Sequence, residues 1–305
     1  MNNINSSIVD IIGIQVDLGA SRRGVDMGPS AIRYSDILKK ITELGYECYD
    51  KGDITTNPLS INNPSNNPRL KNIEVISKAS HELYTKVRSS LESGHFPLVL
   101  GGDHSIAVGS VLGVQSVYEN VGVIWIDAHG DFNNADTTPS GNVHGMSLSA
   151  LTGHGPEELI PFKPENISYI NPNNIALIGV RAIDDQEKKM LKKCGAHVFT
   201  MADIDKYGMK DIMKMALDIV TNGTKGFHVS LDLDAINPNE APGVGTPVYG
   251  GLTLREAHLA AEMIAENNNL LSAEIVELNP ILDIKNKTGE LAVQLAMSLL
   301  GQTIY

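Results

Sequence analysis

The sequence predicts a single α/β domain spanning 1–305, built on a parallel central sheet with helices on both faces. Three observations predict it. Short apolar runs recur along the chain with helical stretches between them. Those runs are apolar at successive positions rather than alternate ones, as strands covered on both faces require. Charged clusters fall where the runs end, and open parallel sheets hold their ligands beyond the carboxyl ends of their strands. With 305 residues, 42% of them hydrophobic, the chain has enough apolar surface for a large core.

In chain order, Ile11–Val16 reads as the first strand. The glycine-rich loop Leu18–Ser30 is polar and expected at the surface, and a helix rich in Ile and Leu is expected from about Ala31 to Leu44. Asn57–Pro68, dense in Asn, Pro and Ser, reads as a surface loop rather than a linker, because strand and helix patterns of one kind continue on both sides. A helix from about Ile73 to Glu92 leads into the strand Phe96–Leu100. Further strands are expected at Val121–Ile126, Ile175–Val180, His197–Thr200, Phe227–Leu233 and Ala273–Leu278. No repeat and no domain boundary stands out.

The formal net charge of −12 argues against nucleic acid or an anionic membrane as the partner. Cys48 and Cys194 are the only cysteines and form no Cys-x-x-Cys pair, so they read as buried small apolar residues. The N-terminal segment has no basic residue, and its apolar stretch is interrupted by Asp10 and Asp17. Neither a signal peptide nor a membrane span is expected, which places the chain in the cytoplasm. Gly243-Val244-Gly245-Thr246-Pro247 lacks the spacing of a dinucleotide loop. His81, His95, His154, His197, His228 and His258 lie outside every motif and read as structural or exposed.

Three strand ends carry the chemistry. Leu100 runs into Gly101-Gly102-Asp103-His104-Ser105, Ile126 into Asp127-Ala128-His129-Gly130-Asp131, and Leu231 into Asp232-Leu233-Asp234. In an extended segment, side chains at i, i+2 and i+4 share a face, so Asp127, His129 and Asp131 converge. A lone Asp-x-His-x-Asp would more often be a solvated strand end; three such clusters at one sheet edge are another matter. Like charges about 4 Å apart repel by roughly 4 kcal/mol at an effective dielectric near 20, so gathered carboxylates demand a cation. Four carboxylates balance two divalent ions, and bridging carboxylates suit a metal pair. Oxygen and imidazole donors without thiolate favour Mn²⁺, with Co²⁺ or Fe²⁺ also admissible.

On these motifs, in this order, the sequence resembles the arginases of the ureohydrolase superfamily. The resemblance runs from Arg22-Arg23-Gly24-Val25-Asp26-Met27-Gly28-Pro29 to Glu277-Leu278-Asn279-Pro280. It implies a three-layer fold with about eight strands and two Mn²⁺ per subunit. One ion would be held by His104, Asp127, Asp131 and Asp232, the other by His129, Asp127, Asp232 and Asp234. It further implies hydrolysis of L-arginine to L-ornithine and urea by a water that the ions acidify. Asp131 would carry the proton to the leaving amine, Glu277 would pair with the guanidinium, and His144 would shuttle protons to solvent. Asn133, Ser140, Gly141 and Asn142 would meet the α-carboxylate, and Asp184 the α-amino group. Thr246 and His129 would also line the substrate site. Ala182 departs from the Asp often found at its place, and Ala235-Ile236-Asn237-Pro238 departs from a commoner Gly-x-Asp-Pro. A homo-oligomer, trimer or hexamer, is implied, with Arg255-Glu256 near subunit contacts. Two alternatives stay open: a ureohydrolase acting on agmatine or a guanidino acid, and a catalytically silent metal-binding protein of the same fold.

Overall fold

The computed structural model describes residue 4 and residues 6–56 and 67–303. Among these, eight strands form one sheet: β1 (Ile8–Gln15), β2 (Glu47–Thr55), β3 (Phe96–Leu100), β4 (Val121–Ile126), β5 (Ile175–Val180), β6 (His197–Thr200), β7 (Gly226–Asp232) and β8 (Leu270–Val276). Their spatial order is β2-β1-β3-β8-β7-β4-β5-β6, and every pairing is parallel. The helices are α1 (Gly28–Tyr34), α2 (Ile37–Glu43), α3 (Ile73–Glu92), α4 (Ala107–Gln115), α5 (Ser147–Leu151), α6 (Asp185–Cys194), α7 (Met201–Tyr207), α8 (Met209–Val220), α9 (Leu254–Ala265) and α10 (Lys287–Leu299). None of the described helices is long and apolar enough to cross a membrane.

Two hydrophobic layers sandwich the sheet, and strand pleat decides which residue enters which. In β4, Ile124 and Ile126 pack with apolar residues of α1, α2 and α7–α10, whereas Val121, Val123 and Trp125 pack with those of α3–α6. Successive residues therefore meet opposite layers, which explains why β4 is apolar throughout. The bounds of β3 to β6 and of α3 coincide with the expected ones, while β1, β7 and β8 are shifted by one to three residues.

Three expectations need correcting, and one strand was not foreseen. The helix expected over Ala31–Leu44 is two helices, because Asp36 takes a left-handed φ of 61° between them. Asn286 Nδ2 donates to the Ala31 carbonyl at 3.0 Å and to Ser35 Oγ at 2.9 Å, satisfying groups at the break. The loop Leu18–Ser30 is exposed only at Ser21–Arg23 and Met27 and in part elsewhere. Leu18, Gly19, Gly24, Val25, Gly28 and Pro29 are buried against the sheet edge. Cys48 and Cys194 are free and half-buried rather than buried. An additional strand, β2, carries no apolar run, because it lies at the sheet edge with mostly exposed polar residues. Of the expected surface loop Asn57–Pro68, residues 57–66 lie outside the described residues.

Strand order positions the site. β7 and β8, late in the chain, sit between β3 and β4, so five carboxyl ends lie side by side in the order β3, β8, β7, β4, β5. They deliver, respectively, His104, Glu277, the pair Asp232 and Asp234, the triad Asp127, His129 and Asp131, and Asp184.

Candidate metal centre and substrate cavity

The loops that carry the chemistry leave the sheet edge through one device. Asp127 Oδ1 accepts the His129 N–H at 2.7 Å, Asp232 Oδ1 the Asp234 N–H at 2.7 Å, Asp103 Oδ1 the Ser105 N–H at 3.0 Å, and Asp184 Oδ1 the Gln186 N–H at 2.9 Å. A carboxylate bonded to the backbone two residues on holds a tight turn, and here it sends the chain back across the sheet edge. Tight approach demands glycine at Gly102 and crowds any side chain at Gly130. A Cβ on Gly102 would collide with the Val16 carbonyl, and one on Gly130 would stand 2.9 Å from Glu187 Oε1.

Two donor groups result. His104, Asp127 and Asp232 converge in one, Asp127, His129 and Asp234 in the other, with Asp127 common to both. His104 Nδ1 lies 3.0 Å from Asp127 Oδ2, 3.1 Å from Asp131 Oδ2 and 3.1 Å from Asp232 Oδ2. His129 Nδ1 lies 3.3 Å from Asp127 Oδ1 and 3.1 Å from Asp234 Oδ2. One ring nitrogen cannot satisfy three buried acceptors, and Asp131 Oδ2 indeed takes no hydrogen bond. Oxygen and imidazole donors crowded in this way, with an orphaned carboxylate oxygen among them, fit divalent cations. Trp125 steadies the set: its Nε1 donates to Asp127 Oδ2 at 3.0 Å, and its ring stacks on His104 with centroids 4.1 Å apart.

The electrostatics bear the mark of that crowding. Burial disfavours charge on His104, but Asp127 and Asp232 outweigh it and raise the imidazole well above its usual value. Burial likewise opposes the Asp127 carboxylate, yet His104 and His129 hold it well below the carboxylate range. Asp131 and Asp232 are pushed far up, first by burial and then by neighbouring carboxylates. Asp131 and Glu277 also hold left-handed backbone, with φ of 48° and 66°. That geometry costs a non-glycine residue on the order of 1 kcal/mol or more and persists only where neighbours enforce it. The Asp131 carbonyl accepts the Leu148 and Ser149 N–H groups at 3.1 and 3.2 Å, and the Glu277 N–H donates to the Gly102 carbonyl at 2.9 Å.

A cavity of about 200 Å³ opens above the donors. Of the anticipated residues, His129, Asp131, Asn133, His144, Asp184, Asp232 and Thr246 line it. Glu277 is buried beneath, where its Oε1 accepts the His104 N–H at 2.9 Å and lies 3.0 Å from His144 Nδ1, while its Oε2 has no hydrogen-bond partner. Burial opposes charge on both, but their pairing raises the His144 imidazole to about 9 and lowers the Glu277 carboxyl. Toward the rim, Asn133 Nδ2 donates to Asp184 Oδ2 at 2.8 Å, leaving the buried Asn133 Oδ1 unpartnered. Thr246 Oγ1 donates to Asp234 Oδ2 at 2.8 Å. Ser140, Gly141 and Asn142 are not among the lining residues. Asn142 Oδ1 instead accepts from Ser21 Oγ at 3.0 Å and Lys71 Nζ at 3.2 Å.

Several site residues went unread in the sequence. Glu187 lines the cavity, accepts the Phe132 N–H at 2.8 Å, and is raised by burial to about 7. The Asp184-x-x-Glu187 spacing announces a helix start, and Asp184 does cap α6 through Gln186 and Glu187 N–H groups; nothing in that spacing announces a cavity wall. Arg181 binds five times to the carbonyls of Gly179, Asp234, Ala235 and Val248, tying the loop after β7 to the Thr246 segment.

A profile of the Arginase family matches residues 7–301. The arginase of Bacillus subtilis is 48% identical over 296 residues, covering 97% of this chain and 98% of that protein. The solved arginase of Bacillus caldovelox superposes with a TM-score of 0.94 at 47% identity, covering 97% of this chain and 99% of the other. That of Bacillus cereus gives 0.91 at 46% identity, over 98% and 99% respectively.

Proposed function

The chain belongs to the arginase family, and on that premise we propose that it hydrolyses L-arginine to L-ornithine and urea with two Mn²⁺ ions per subunit. The observation that carries this reading is the floor of the cavity, where two donor groups share Asp127 beneath a polar rim formed by Asn133 and Asp184. His104, Asp127, Asp131 and Asp232 would hold one ion, and His129, Asp127, Asp232 and Asp234 the other. When bound, such ions supply Lewis acidity and an acidified water as nucleophile.

The protein's own groups do the rest. Glu277, kept anionic by His144, offers its unpaired Oε2 to the guanidinium of the substrate. Asp131, at the cavity floor with an Oδ2 that takes no hydrogen bond, is the group that would carry a proton to the leaving amine. His144 lines the cavity and keeps its proton through neutral pH, which suits it to exchange protons with solvent. At the rim, Asp184 Oδ2 offers an acceptor to the α-amino group and Asn133 a donor to the α-carboxylate.

The reading takes 1–305 as one domain, on the ground that the described strands form a single sheet. It also takes the enzyme as a cytoplasmic homo-oligomer. The free cysteines suit a reducing compartment, and the exposed Ile281, Leu282 and Ile284 offer apolar surface for subunit contact. Glu256 is engaged in the α9 capping box with Thr253, and Arg255 Nη1 stands 3.7 Å from Glu262 Oε1.

The test is urea release by the Mn²⁺-loaded protein from arginine, agmatine and guanidinobutyrate. Agmatine has the same guanidinium but no α-carboxylate, so only the rim distinguishes the two. A hydrogen bond to a charged group contributes roughly 1.5–3 kcal/mol, which sets an expected preference for arginine of about tenfold to a hundredfold in kcat/KM. Asn133→Ala should erase much of that preference while leaving the weak agmatine activity nearly unchanged. Equal or better efficiency with agmatine in the unmutated protein would overturn the choice of substrate.

A further inference from the structure

One buried carboxylate takes part neither in the donor groups nor in the cavity. Glu274 lies in the middle of β8 with no exposed surface, as do His228 and Ser230 of β7, while Ser272 of β8 is 1% exposed. Strand register groups them, because Ser230 stands opposite Glu274 and His228 opposite Ser272, so the alternate residues of both strands share one face. The other face of the same strands is Phe227, Val229, Leu231, Ala273 and Ile275, all in the apolar layer. A buried carboxylate is costly among such neighbours, and it persists where donors compensate it.

Those donors form a directed chain. Ser230 Oγ donates to Glu274 Oε1 at 2.6 Å, and Ser110 Oγ, from α4, donates to Glu274 Oε2. His228 Nε2 stands 3.5 Å from Glu274 Oε1, and its Nδ1 lies 2.7 Å from Ser272 Oγ. An ionised carboxylate only accepts, so the Ser230 hydroxyl proton points at Glu274. The remaining side of Ser230 Oγ can then only accept, and the group it faces at 2.7 Å is His104 Nε2. His104 therefore carries a proton on Nε2, which leaves Nδ1 as the nitrogen free to ligate, and Nδ1 is the atom turned toward Asp127, Asp131 and Asp232.

We propose that Glu274 is a positioning residue for the metal centre: acting through Ser230, it fixes the tautomer and orientation of His104, so that Nδ1 is presented to a divalent ion. The proposal rests on the metal-centre reading above. It makes Glu274 matter to one ion more than to the other, because the chain ends on His104 and reaches the group of His129 and Asp234 only through the shared Asp127.

The experiment is calorimetric titration of metal-free protein with Mn²⁺, alone and without substrate, in the parent, Glu274→Gln, His104→Ala and the double variant, each checked for folding by circular dichroism. Outer partners of metal-bound histidines typically contribute about tenfold to a hundredfold in metal affinity. Glu274→Gln is therefore expected to weaken one of two binding events by about that factor and the other by much less. In the His104→Ala background, Glu274→Gln should change the remaining affinity by less than about twofold, since the group through which it acts is gone. If Glu274→Gln does not fold, Ser230→Ala, which leaves Glu274 with Ser110 and His228 and severs only the link to His104, carries the same expectation. A parent that binds no Mn²⁺ overturns the metal-centre reading and this proposal with it. A parent that binds two ions, beside a folded variant that binds both as tightly, overturns the role of Glu274 alone. So does a loss of the same size in the His104→Ala background, which would mark Glu274 as a general support of the fold.

Discussion

Asp127 illustrates how much one side chain can be asked to do. Its Oδ1 faces His129 and its Oδ2 faces His104, and it also holds the His129 N–H and the Trp125 indole. Removing it should disable both ion sites, whereas removing His129 should spare the site built on His104. Elemental analysis of purified Asp127→Ala and His129→Ala, both loaded with Mn²⁺, is expected to find almost no metal in the first and about one ion per chain in the second. Two ions retained in Asp127→Ala would show that the carboxylate is not shared. The sequence displayed Asp127, His129 and Asp131 because ligand-type residues at alternate positions after an apolar strand have few structural explanations. Trp125, Arg181 and Glu187 stayed hidden for the opposite reason. A Trp in an apolar run looks like core, an Arg after a strand looks solvated, and Glu187 sits in the highly charged α6, where another acid carries no signal.

Among the elements, β2 and α1 show what apolar periodicity cannot report. β2 is held at the sheet edge partly by Arg33 of α1, whose guanidinium meets Asp50 at 2.8 and 2.9 Å and Asp53 at 2.6 Å. Burial opposes charge on Asp50, but Arg33 outweighs it and keeps the carboxyl below its ordinary value. Because these groups are partly exposed, solvent discounts the contact, and Arg33→Ala is expected to cost about 1–2 kcal/mol. That loss reads out as a melting temperature lower by a few degrees. The Asp50 contribution is fully present above the unfolded carboxylate value near 4 and is lost as the pH falls through the lower folded value. The melting gap between parent and variant should therefore be full at pH 7 and narrow below about pH 4; a gap that widened in acid would contradict the assignment. The α1–α2 break was equally invisible, since Ile32, Ile37 and Ile41 are all buried and keep an apolar stripe across it. The local chemistry of Ser35-Asp36 and its bonds to Asn286, far away in sequence, decide that the helix stops.

At the scale of the whole molecule, the donor groups join the ends of β3, β4 and β7, so bound ions would act as a clasp between distant parts of the chain. A ligand that binds only the folded state at a hundred times its Kd adds about 2.7 kcal/mol of stability. Chelation should lower the melting temperature as well as abolish urea release, and Mn²⁺ should restore both; melting that ignored chelator and metal alike would refute the clasp. The sequence placed these clusters at strand ends but not beside one another. Neighbour order depends on which apolar faces pack across hundreds of residues, and no local pattern encodes that. The observed order also bears on synthesis. The last two strands to leave the ribosome, β7 and β8, are the ones that join β3 to β4. Until they emerge, the strands already made can pair into at most two partial sheets, whose open edges would be the fully buried β3 and β4. Such unpaired edges are templates for aggregation. Ribosomes arrested after β6 should therefore yield chains that need a chaperone to stay dispersed, whereas chains released after β8 should not.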